Sequence, residues 1–317
     1  MSGGSDGRTI SLVLGSGGAR GLAHIGVIRV LERLGWRIGA IAGSSMGALI
    51  GGFYAAGKLD DYTEWVQELT EFNVLRYLDV AWGGAGMLKG EMLMQTLQEF
   101  VGRHRIEDLP IPLTIVATDV LARKEVWLRR GDLFDAIRAS IAVPTVFTPH
   151  PVGGRPLLDG AILNPVPIAP TLQDPTDAII AVSLSGVPRR SDGVDLCAED
   201  PSLRPRNRYR RRIESFIDQL QERLGIDNDG HDGGPQLSLT DAALLSLEAM
   251  QASVARCMLA AYPPDLLIEI PIDTCAAHEF YRAGEVIRAG EYWAEQALQR
   301  FTASGGGTHP PAAAGRG

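Results

Sequence analysis

The chain has 317 residues, of which 45% are hydrophobic and 21% charged, a balance that excludes disordered and collagen-like proteins and allows one sizeable core. With 38 acidic against 30 basic residues and a formal charge of -8, it lacks the excess of cations that general nucleic-acid binding needs, so no nucleic-acid partner is expected. Cys197, Cys257 and Cys275 show neither CxxC nor metal-ligand spacing, and read as buried free thiols rather than a disulfide framework or zinc site. No apolar run approaches the ~20 residues that span a bilayer, and the polar, glycine-rich start is no targeting segment, so a cytoplasmic protein is expected.

In chain order, residues 1–9 read as a flexible start and 10–14 as a buried strand that hands over to the loop Gly15-Ser16-Gly17-Gly18-Ala19-Arg20-Gly21. A helix follows with Leu22, Val27, Val30, Leu31 and Leu34 on its core face and Gly35 as its stop. A second strand, 38–42, ends in Gly43-Ser44-Ser45-Met46-Gly47, and a small-residue helix, 48–56, closes at Gly57. Strands at 113–118, 125–128 and 178–184 and a helix at 133–140 continue the alternation of a mostly parallel sheet covered on both faces. Residues 59–108 are amphipathic and helical, broken by a glycine-rich stretch at 82–86 that reads as a lid. A polar insertion at about 187–236 contains a predicted helix, 208–224. Beyond it come a helix carrying Leu244, Leu247, Met250, Val254 and Met258, a strand at 266–270, a helix starting at His278 and a disordered tail, 304–317. The chain thus reads as a single α/β domain from 10 to 303.

Gly43-Ser44-Ser45-Met46-Gly47 fits G-x-S-x-G, in which a serine sits on a strained strand-to-helix turn and the glycines avoid clashes. The plain alternative is an ordinary glycine-rich turn; its position between an apolar strand and a helix favours Ser45 as a nucleophile. The earlier loop departs from a dinucleotide fingerprint, because Arg20 occupies the third glycine position, and from a phosphate loop, because Arg20-Gly21-Leu22 replaces Gly-Lys-Ser/Thr. Backbone N–H groups around Gly17 and Gly18 are instead suited to stabilising an oxyanion. Arg20 could orient the loop, meet a phosphate headgroup or cap the surface.

The base is the open question. His231 and His309 lie in polar segments, His278 begins a predicted helix, His24 packs on the first helix, and His104 and His150 read as surface or loop residues. A carboxylate acting directly on the serine needs a constrained turn that tunes its pKa. Asp159 in Leu157-Leu158-Asp159-Gly160-Ala161, ahead of Asn164-Pro165-Val166-Pro167, meets that description. Asp119, at the end of its strand, reads first as a loop cap.

The ordered set of Gly-rich loop, Ser45 elbow and Asp159-Gly160-Ala161 resembles the patatin-like phospholipases, in particular bacterial members similar to the neuropathy target esterase catalytic domain. The stretches 112–119, 139–147 and 164–167 are similar to that group as well. The resemblance implies a three-layer α/β/α sandwich and a Ser45–Asp159 dyad without histidine. It also implies an oxyanion hole from the N–H groups of Gly17, Gly18, Ala19 and Arg20. Gly15, Gly21, Gly43, Gly47, Gly160 and Ala161 support those motifs. One departure is Ser16, which falls on the first glycine of the family's fingerprint and would be a poor fit if φ there were positive.

The chemistry expected is hydrolysis of a fatty-acyl ester, of a phospholipid or lysophospholipid by the resemblance, through an acyl-enzyme and without metal or cofactor. Leu78, Trp82, Met87 and Leu88 could line an acyl channel, although core packing explains them equally well. The arginines of 204–212 suggest transient docking on an anionic membrane surface, against a solvated charged face. A non-catalytic acyl-lipid or phosphate-binding module, and a thioesterase or peptidase using the same serine, are the competing classes.

Overall fold

The computed structural model describes residues 8–77, 91–144, 146–188 and 239–303. The expected lid, the acyl-channel candidates, the predicted helix at 208–224, the arginines of 204–212 and the tail lie outside the described residues. By its contacts the chain divides into Met1–Ser191 with Leu245–Gly317, and Asp192–Leu244. Of the second unit only the start of one helix is described.

Strand β1 (Thr9–Leu14) leads through the loop and a short 3-10 turn (Gly18–Leu22) into helix α1 (Ala23–Arg33), and β2 (Arg37–Ser44) turns directly into α2 (Met46–Ala55). Then come α3 (Leu59–Gln67), α4 (Glu71–Tyr77), α5 (Glu91–Val101), β3 (Leu113–Asp119), β4 (Lys124–Leu128) and α6 (Leu133–Ser140). The chain ends in β5 (His150–Val152), β6 (Arg155–Asp159), β7 (Ala178–Gly186), α7 (Leu239–Ala261), β8 (Leu266–Pro271) and α8 (Ala283–Ala303). The 8-stranded sheet has the order β5-β6-β3-β2-β1-β7-β8, with β4 also on β3. Neighbours from β3 through β2, β1 and β7 to β8 are parallel, whereas β4 and β6 run antiparallel to β3.

Alternation along β1 explains the layers. Ile10, Leu12 and Leu14 enter the main core with α1, α2, α3, α6 and α8. Val13 points to the opposite face, into a small cluster with Val166, Ile168, Ala181 and Ala255 of α7. The result is the three-layer α/β/α arrangement, with one thick layer and one thin. Gly26 of α1 and Gly290 of α8 let those helices meet backbone to backbone: a Cβ on Gly26 would lie 2.1 Å from Ile287 O, and one on Gly290 2.0 Å from Ala23 O. The chain steps from β1 to β2 to β3 in one direction and from β7 to β8 in the other, so the carboxyl ends beside β1 form the crevice where open α/β sheets bind ligands.

Several expectations need correcting. Leu34 is 45% exposed because α1 has already ended there, with the Gly35 and Trp36 amides bonded back to Glu32 O and Leu31 O. On α7 Ala255 is buried, Leu247, Val254 and Met258 are half-buried and Met250 faces outward. His278 precedes the last helix, which starts at Ala283. Cys275 is buried but Cys257 is exposed. Among the described residues no helix is long and apolar enough to cross a membrane.

Candidate active site

Ser45 sits between β2 and α2 with φ 54 and ψ -123, and among the described residues only Arg123 shares a positive φ without being glycine. Such a conformation costs about 1–3 kcal/mol and persists only where the surroundings enforce it. Here they do. The Ser45 amide donates to Ser140 Oγ at 2.9 Å, and that hydroxyl donates to Val116 O at 2.6 Å. The Ser45 carbonyl accepts from the Ala48 and Leu49 amides as the first turn of α2. On either side backbone passes too close for any side chain: a Cβ on Gly43 would lie 2.4 Å from Gly47 O, and one on Gly47 2.0 Å from Leu14 O.

Strand β3 brings the second group to the serine. Its edge away from β4 pairs first with β2, ending at Ser44↔Val116, and next with β6, at Ala117↔Asp159. Asp159 therefore takes the ladder position immediately beyond the end of β2. A Cβ on Gly160 would lie 2.1 Å from Val116 O, so the turn after β6 can sit there only with glycine. The Ser45 hydroxyl donates to Asp159 Oδ2 at 2.6 Å, and the Ala161 amide donates to Oδ1 at 2.7 Å. Asp159 is 1% exposed and Ser45 6%. Burial pushes the Asp159 carboxyl up to about 7, while the bonds from Ser45 and Ala161 oppose that rise. A carboxylate poised near neutrality can take a proton from the hydroxyl it touches.

The last residue of α6 and the segment just after it brace both partners. Ser140 holds the Ser45 amide, and Ala142 O accepts the Asp159 amide at 3.0 Å. Sequence reasoning gave Ser140 no role. A small polar residue at a helix end carries no signal until β3 is known to lie beside it.

The Gly-rich loop reaches the elbow through Gly21, which packs against Met46. Its Gly15 and Ser16 amides bond to Val182 O and Pro165 O. Ser16 has no positive φ, so the serine at that fingerprint position is unstrained. Gly18 has φ 56, and the Gly17 amide has no partner among the described residues. The Ala19 amide donates to Ala277 O at 2.8 Å and is thus already committed, at odds with its expected place among the oxyanion donors. Arg20 is no surface cap: its guanidinium is buried, bonded to Ile272 O and ion-paired with Glu248, an arrangement that orients the loop.

The histidines stand apart. His24 is fully buried, donates from Nε2 to Gly15 O at 2.8 Å, and has its pKa lowered to about 4 by burial, so it stays neutral. His150 pairs with Asp135. His104 is half-buried and His278 exposed, and His231 and His309 lie outside the described residues. None of the four described histidines bonds to Ser45 or Asp159. Asp119 accepts the Ala122 amide at 2.9 Å and caps the turn after β3.

An α/β/α fold with a serine on a strained elbow and a buried carboxylate on its hydroxyl defines a serine-hydrolase type of site. The family model described as patatin-like phospholipase matches residues 12–172, and the chain belongs to this family of lipid acyl hydrolases. An uncharacterized NTE family protein of Mycobacterium tuberculosis is 42% identical over 94% of this chain and 93% of its own. The human patatin-like phospholipase domain-containing protein 6 is 32% identical over 62% of this chain, a match that spans 14% of that longer protein. The solved structure of VipD from Legionella pneumophila is similar at 15% identity, with a TM-score of 0.44 over 93% of this chain and 67% of that one.

Proposed function

We propose that the chain is a serine esterase that hydrolyses fatty-acyl esters of phospholipids or lysophospholipids, with Ser45 as nucleophile and Asp159 as its base. The observation that carries the reading is the 2.6 Å bond from the Ser45 hydroxyl to a buried carboxylate. Asp159 takes the hydroxyl proton as Ser45 Oγ attacks the ester carbonyl. The resulting oxyanion is met by the Gly17 and Gly18 amides, aided by the N-terminus of α2. When the tetrahedral species collapses, the proton passes from Asp159 to the departing alkoxide, leaving an acyl-Ser45 ester. A water then gives its proton to Asp159, attacks the acyl carbonyl and releases the fatty acid as Ser45 recovers its proton.

The test is turnover of matched long-chain ester, thioester and amide substrates by the wild type and Ser45→Ala, each confirmed folded. The ester is expected to be cleaved fastest, with kcat/KM falling on the order of 10⁴-fold in the variant. Faster thioester or amide cleavage would move the activity to another acyl-transfer class, and folded wild type without turnover would leave a binding module.

A further inference from the structure

Because β2 ends at Ser44↔Val116, β3 runs three residues farther before its ladder with β4 closes at Asp119↔Lys124. At a rise of about 3.4 Å per residue, that carries the β3–β4 hairpin about 10 Å past the elbow. Strand β6 runs antiparallel to β3 with Leu158 opposite Thr118, so Arg155 and the Gly153-Gly154 turn project in the same direction. Two neighbouring hairpin tips therefore overhang the sheet end at which Ser45 lies.

The tips share a composition found nowhere in the net charge of the whole. The first carries Val120, Leu121, Ala122, Arg123 and Lys124, all exposed, with Leu121 78% open to solvent. The second adds exposed Arg155. Arg123, Lys124 and Arg155 have no ion-pair partner among the described residues, and Asp119, the one carboxylate at the first turn, is buried as its cap. A chain of formal charge -8 thus presents three unpaired cations around an exposed apolar pair. The capped turn holds that pair outward.

We propose that these two tips form the edge that docks on an anionic lipid bilayer, Val120 and Leu121 entering the headgroup layer while Arg123, Lys124 and Arg155 meet lipid phosphates. The inference rests on the lipid-ester reading of Ser45 and adds where the substrate-bearing surface meets the protein. Docking there sets the serine about 10 Å below the bilayer face, so an acyl ester must be drawn partly out of the layer to reach it.

Cosedimentation with vesicles of phosphatidylglycerol and phosphatidylcholine, against phosphatidylcholine alone, tests the docking without requiring turnover. Each cation near an anionic surface contributes roughly fivefold in affinity. Arg123→Glu with Arg155→Glu is therefore expected to weaken binding to the anionic vesicles at least about 25-fold, and Leu121→Ser to weaken it severalfold, both with unchanged cleavage of a short water-soluble ester. Added salt should weaken wild-type binding. Equal binding by the wild type and both variants, or no wild-type preference for anionic vesicles, would overturn the proposal. Loss of soluble-ester cleavage by the wild type would count against the esterase reading alone, since vesicle binding is read separately.

Discussion

Asp159 carries a cost that its proposed role as base would use. A buried carboxyl with a pKa near 7 holds its proton in the folded state while the unfolded chain, titrating near 3.8, has lost it. Between those two values the folded state binds more protons, so stability falls as pH rises, and above about 7 the full penalty of a buried charge remains. Asp159→Asn removes the ionisation. Its Tm is expected to exceed that of the wild type by a few degrees at about pH 8, with the gap closing below about pH 4. A melting series across pH reads this directly, and a gap that did not change with pH would contradict the perturbed pKa. The same ionisation governs rate with the opposite sign: kcat/KM is expected to climb with pH and level off above about 7, because only the ionised carboxylate accepts the serine proton.

At the scale of elements, α1 and α8 cross with their backbones in close contact. Gly290→Ala would drive a methyl group into Ala23 O, with no flexible side chain to give way. A destabilisation of about 1–3 kcal/mol is expected, read as a lowered midpoint in urea unfolding, with soluble-ester turnover per folded molecule nearly unchanged. An unaltered midpoint would mean that the helices can part. Helices α1 and α2 are legible in the sequence as apolar runs closed by glycine, Gly35 and Gly57. The β5–β6 hairpin was not read, although Gly153 and Gly154, both at positive φ, are a two-residue hairpin signature. Its strands are short and largely exposed, so hydrophobic periodicity is silent there. The helix α7 is legible from its spaced large apolar residues, but which position is buried is not: against a thin second layer Ala255 is buried and Met250 is left outside.

Across the whole molecule, the site depends on pairings distant in sequence. Ser45 and Asp159 could be singled out from local turns, Gly43-Ser44-Ser45-Met46-Gly47 and Asp159-Gly160-Ala161. Their contact could not, because it exists only through β3, which accepts β2 and β6 end to end along one edge. Ser140 and the commitment of the Ala19 amide are products of the same long-range assembly. We propose that this assembly lets a carboxylate activate serine with no imidazole. The most direct measurement is long-chain ester turnover by Asp159→Asn beside a variant lacking His104, His150, His231, His278 and His309. His24 is retained there because it holds Gly15 O. Activity is expected to be lost in the first, on the order of 10³-fold or more, and kept in the second. Loss in the histidine variant with the protein still folded, or turnover surviving in Asp159→Asn, would contradict the proposal.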